Sequence, residues 1–176
     1  MRPALLRAWA PLACALAASA CTTLAPLPAT PLASDDCTRW FAQLDAAEAE
    51  QVAVRFVKRA RNMQIIVGVS APGFATMRSL AKASMDAGAA GVMIAPSPHL
   101  RTDDQITGYF KQAQEAIGDD IPWVLQDYPL TLTVQFTPAV IRKIVMDSPS
   151  CVMLKHEDWP GLEKITTLRN FQKDGS

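Results

Sequence analysis

From Leu44 onward the chain alternates two patterns. Stretches with apolar residues at three- and four-residue steps give way to short continuous apolar runs, and the pair recurs about every 30 residues. The first stretch opens on Asp45 with Glu48 following at capping-box spacing; Ala49, Val52, Ala53, Phe56, Val57 and Ala60 then share one face, which predicts a helix ending near Arg61. Ile65-Ile66-Val67, bounded by Gly68 and Pro72-Gly73, predicts a buried strand. A helix follows on Met77, Leu80, Ala81 and Met85, with Gly88 where a C-terminal cap needs positive φ. The next strand is predicted from Gly91 to Ala95. Thr102 and Gln105 repeat the capping box, and Ile106, Tyr109, Phe110, Ala113 and Ile117 form a helical face closed by Gly118. Trp123-Val124-Leu125 predicts a third strand. Thr137 before Pro138 starts a helix carrying Val140, Ile141, Ile144 and Val145, and Cys151 to Leu154 predicts a fourth strand before a last helix on Leu162, Ile165 and Leu168.

Such alternation is that of βα units in a parallel sheet, and continuous apolar runs predict strands buried on both faces. Two architectures fit: the eight-stranded barrel and the open doubly wound sheet. In either, a ligand binds beyond the C-terminal strand ends, here Ser70-Ala71, Pro96-Ser97, Gln126-Asp127-Tyr128 and Lys155-His156-Glu157. No G-x-G-x-x-G or P-loop follows any strand, so nucleotide binding loses its main sequence support.

Composition narrows the partners. With 17 basic against 17 acidic side chains and no run of like charge, the chain lacks the footprint of a nucleic-acid binder, and a small molecule or a protein is the expected partner. An apolar share of 49% over 176 residues suits one globular domain. Residues 1–43 read differently: Arg2 and Arg7 precede an apolar stretch from Trp9 to Leu16 and small residues through Ala18-Ser19-Ala20 to Cys21. That order resembles a secretory signal, with Cys21 as a lipidated N-terminus, or else a misassigned leader outside the fold. His99 and His156 are the only histidines, and the four cysteines show no C-x-x-C spacing, so no metal site is expected; Cys151 reads as a buried thiol.

Among the strand ends, Lys155 closes the apolar run Cys151-Val152-Met153-Leu154. A desolvated lysine there would supply the neutral amine for Schiff-base attack on a ketone, whereas a lysine that snorkels outward or pairs with Glu157 or Asp158 would be merely structural. Gln126, Asp127 and Tyr128 offer an amide, a carboxylate and a phenol to orient or protonate a substrate, or else cap a loop. Trp159-Pro160-Gly161 reads as a turn, with Trp159 placed to cover a ligand.

The segments IIVGVSAPGFATMRSLAKASMDAGAAGVMIAPSP, TDDQITGYFKQAQEAIGDDIPWVLQDYP and SPSCVMLKHE, in that order and spacing, resemble the middle of the dihydrodipicolinate synthase and N-acetylneuraminate lyase family, class I aldolases on a (β/α)8 barrel. The resemblance implies an α/β fold comprising a partial TIM barrel, about strands three to six, over residues 44–172, with 173–176 as a tail. It makes Lys155 the lysine that forms a Schiff base with pyruvate or another 2-oxo acid, with no separate cofactor. It puts Gln126 where relatives carry a catalytic tyrosine and Asp127 where they carry an asparagine, so Tyr128 becomes the phenol that would reach the site from one step along. Ser97-Pro98 replaces an aromatic pair of many relatives. Ser70, Ser97, Asp127 and Glu157 become substrate-binding candidates. A cytoplasmic location and a homo-oligomer are implied as well, unless the leader ending at Cys21 exports or anchors the chain. Two other readings stand beside the lyase: a catalytically inactive barrel fragment or ligand-binding pseudoenzyme, and an envelope lipoprotein with a binding module.

Overall fold

A computed structural model describes residues 44–175; the leader reading, Cys21 included, lies outside the described residues. The elements run α1 (Ala46–Arg59), β1 (Ile66–Gly68), α2 (Phe74–Asp86), β2 (Gly91–Ile94), α3 (Asp103–Ile117), β3 (Trp123–Asp127), α4 (Pro129–Leu132), α5 (Pro138–Asp147), β4 (Cys151–His156) and α6 (Leu162–Lys173). All expected helices and strands are present, and Gly88, Gly118, Thr102, Gln105 and Thr137 punctuate them as their chemistry demands. Gly88 and Gly118 take φ of 101° and 113°, the left-handed side that a Cβ disfavours. Thr102 and Gln105 form a complete capping box at the start of α3, and Thr137 Oγ1 accepts from the Val140 N–H at 3.2 Å at the start of α5. The short α4, begun by Pro129, had no periodic signal, because one turn is too short to show a face.

The four strands form one parallel sheet in the order β1-β2-β3-β4. This order decides between the two architectures that alternation left open. A doubly wound sheet reverses its strand order at a switch point, whereas a barrel adds each strand beside the one before it. Here each strand pairs with its predecessor, and helices pack side by side in the same sequence: α1 on α2, α2 on α3, α3 on α5 and α5 on α6. The structure is therefore a run of consecutive βα units from a (β/α)8 barrel.

One sheet face carries the core. Val69, Val92, Ile94, Trp123 and Leu125 are fully buried beneath the helices, together with Met77, Phe110 and Ala113. The Phe110 ring stacks on Trp123 at 5.8 Å between centroids, and Phe136 meets Phe110 edge-on. Gly91 lets β2 approach the turn before β3, since a Cβ there would sit 2.7 Å from the Pro122 carbonyl oxygen. The opposite face differs from the expectation of burial on both sides. Ile66, Met153 and Lys155, which the register and the two-residue period put on that face, are exposed among the described residues. Continuous apolar runs reported a sheet built for two covered faces, and the helices described here cover only one.

Candidate active site at the ends of β3 and β4

The last two strands run further than their apolar runs. β3 continues through Gln126 and Asp127, and β4 through Lys155 and His156, because Gln126 pairs with Lys155 and Asp127 with His156 in the parallel ladder. Backbone pairing thus extends strand geometry into polar sequence, and strand geometry sends successive side chains to opposite faces. The polar residues Gln126-Asp127 and Lys155-His156, neighbours at the strand ends, divide into two groups.

The open-face group is Lys155, Gln126 and Glu157. Lys155 Nζ lies 2.5 Å from Glu157 Oε2, and Gln126 Nε2 donates to the same oxygen at 2.9 Å. The Lys155 side chain is 45% exposed and paired with Glu157, the pairing that the sequence offered beside a desolvated lysine at this strand end. Hydrogen bonds from Lys155 and then Gln126 hold the Glu157 carboxyl below its ordinary pKa, with burial acting weakly the other way. The Glu157 backbone is also held, its N–H donating to the Asp127 carbonyl at 2.8 Å.

The helix-face group is Asp127, His156, Lys164 and Asp158. Asp127 is fully buried, so it does not line the open face where the substrate-binding expectation placed it. Its Oδ2 sits 2.8 Å from His156 Nδ1 and 3.0 Å from Lys164 Nζ, and Lys164 reaches Asp158 at 2.6 Å. The hydrogen bond from Lys164, more than any other contact, lowers the Asp158 pKa. Paired in this way, the buried carboxylate ties β3 to β4 and α6, since an ion removed from water needs partners at hydrogen-bond distance. Sequence reasoning missed Lys164. It lies in the first turn of α6, where the helix dipole disfavours a cation, and that mismatch is the signal pointing to nearby acids.

The remaining candidates lie at the same end of the sheet. Ser70 Oγ accepts from the Ala95 N–H at 2.7 Å, and Tyr109 donates to the Ala95 carbonyl at 3.2 Å, which fixes the end of β2. Burial raises the Tyr109 phenol above its usual pKa. Ser97 is half-buried in the following turn, where its carbonyl accepts from the Leu100 N–H. Tyr128 directly follows β3 as the half-buried residue before α4. Trp159 is 80% exposed. Cys151 is buried as expected, which raises its thiol pKa to about 11.

Sequential parallel strands with helices on the outer side define a partial (β/α)8-barrel framework, with Lys155 near the C-terminal end of β4. Solved structures give the family. A dihydrodipicolinate synthase from Rhodopseudomonas palustris is 80% identical over 76% of this chain and 44% of its own, with a TM-score of 0.74. A prophage protein of the dihydrodipicolinic acid synthase family from E. coli K12, solved with pyruvate, is 19% identical with a TM-score of 0.66 over 76% of this chain and 46% of its own. The Aquifex aeolicus dihydrodipicolinate synthase is 22% identical with a TM-score of 0.64 over 73% of this chain and 44% of its own. The chain belongs to the dihydrodipicolinate synthase family and spans less than half the length of these relatives. No protein-family model and no curated protein sequence matches it. No described helix is long and apolar enough to cross a membrane.

Proposed function

We propose that this chain carries the Schiff-base site of a class I lyase acting on pyruvate or another 2-oxo acid, with Lys155 as nucleophile. The observation that supports it most is the position of Lys155: it stands on the open sheet face near the C-terminal end of β4, level with Gln126 and within reach of Glu157. Attack by the Lys155 amine on the ketone carbon forms a C–N bond, and loss of the former carbonyl oxygen as water leaves an iminium. The chemistry uses the lysine itself in place of a separate cofactor. Gln126 holds Glu157 beside the amine, and Tyr128 adds a phenol at the rim. Ser70 and Ser97, at the ends of β1 and β2, offer hydroxyl donors toward the substrate carboxylate. The solved E. coli K12 relative binds pyruvate, which accords with the same small ligand here. We place the folded unit at residues 44–172, the compartment in the cytoplasm and the assembled state as a homo-oligomer, on the family resemblance.

Borohydride trapping tests this reading. The full chain incubated with pyruvate and a panel of 2-oxo acids gains one reduced adduct by intact mass, peptide mapping places it on Lys155, and Lys155→Arg abolishes it. Soluble, folded protein that acquires no adduct with any acid of the panel would show the site to be catalytically silent.

A further inference from the structure

We infer that Glu157 is the proton-transfer group of the site, taking the proton from Lys155 as the amine attacks and returning it to the departing oxygen; this inference rests on the Schiff-base reading above. A lysine begins as an ammonium ion and must lose a proton before it can attack, and the oxygen of the carbinolamine must gain protons before it can leave as water. The side chain level with Lys155 on the neighbouring strand is Gln126, and an amide hydrogen-bonds without exchanging protons at neutral pH. The ionisable side chain paired with Lys155 among the described residues is Glu157, whose Oε2 lies 2.5 Å from Nζ.

The steps balance. Proton transfer from the Lys155 ammonium to the Glu157 carboxylate gives a neutral amine and a carboxylic acid. The amine adds to C2 of the 2-oxo acid, the C=O π bond breaks onto oxygen, and a proton moves from nitrogen to that oxygen to give the neutral carbinolamine. Glu157 then protonates the hydroxyl; the C–O bond breaks, water leaves, and the nitrogen lone pair forms the C=N bond of the iminium. Glu157 ends as the carboxylate it began as, and one positive charge stands on the lysine nitrogen at both ends of the sequence.

Two features suit Glu157 to both directions of transfer. The hydrogen bond that most stabilises its carboxylate form comes from Lys155 itself, so the transfer that protonates Glu157 also removes that stabilisation and leaves Gln126 as the remaining side-chain donor. Its backbone is fixed by the N–H to Asp127 carbonyl bond, and Asp127 in turn is locked in place by His156 and Lys164, so the carboxylate stays beside Nζ as a substrate enters.

The test follows adduct formation by the full chain with pyruvate and excess cyanoborohydride, so that imine formation limits the rate. Glu157→Gln, close in shape but unable to carry a proton, lowers the trapping rate by about 100-fold, within the range for a positioned acid–base group. Glu157→Asp keeps a carboxylate on a shorter stem and restores part of the rate. A role confined to packing and hydrogen bonding predicts the opposite ranking, with Gln tolerated better than Asp, and that ranking would overturn the inference even if one of the two variants fails to match the wild-type melting temperature. Wild-type trapping on Lys155 with Glu157→Gln at the wild-type rate overturns the role of Glu157 alone. No adduct on the wild-type chain overturns the Schiff-base reading and this inference with it.

Discussion

Gly161 shows how closely a single residue is bound to the site. Were it any other residue, its Cβ would overlap His156 Nε2 and lie 2.7 Å from the Asp158 carbonyl oxygen, so only a bare Cα lets the loop after β4 close against the imidazole. Gly161→Ala is expected to displace His156 from Asp127 and to lower stability by about 1–3 kcal/mol, measured by urea unfolding, with slower trapping at Lys155. A melting curve and trapping rate both equal to wild type would show that the loop relaxes freely. The sequence presents Trp159-Pro160-Gly161 as a turn and gives no hint that the glycine faces an imidazole, because the contact joins two loop ends whose approach depends on how α6 packs.

At the level of elements, the caps were legible because they are local chemistry. The Thr102 and Gln105 pair satisfies backbone donors within one turn and needs nothing from the remainder of the fold, which is why its spacing identifies the start of α3. Thr102→Ala is expected to cost about 1 kcal/mol by denaturant unfolding while leaving the rate of adduct formation unchanged, since the capping contacts of Thr102 are to Gln105 and involve none of Lys155, Gln126 and Glu157. Strand ends were less legible. Leu125 and Leu154 end the apolar runs, yet both strands continue two residues further, into Gln126-Asp127 and Lys155-His156, because each polar residue has a backbone partner on the neighbouring strand. Composition reports burial, whereas strand extent is decided by pairing, and pairing involves sequence some 30 residues away.

Across the whole molecule, the sheet has unequal faces. Leu125 on the helix side is fully buried, whereas Met153 on the opposite side is 58% exposed. Leu125→Ala is expected to destabilise the chain by about 2–5 kcal/mol, and Met153→Gln to change stability by less than about 0.5 kcal/mol, both by urea unfolding. A large loss from Met153→Gln would show that the open face is covered in solution. The same inequality puts Lys155, Gln126 and Glu157 where a small molecule can reach them and puts Asp127 and His156 where it cannot. By itself the sequence determined the number and order of βα units, their caps and the lysine near the end of the fourth strand, because these depend on residues adjacent in the chain or one helical turn apart. The alternation of strands and helices left the barrel and the doubly wound sheet both open; the family resemblance implied the barrel, and the sequential strand order of the tertiary structure shows it. Tertiary structure alone decided that neighbouring polar residues part to opposite faces and that Gln126 of β3 reaches across to Glu157 beside the Lys155 amine, since both depend on pairing between strands that only the folded sheet brings together.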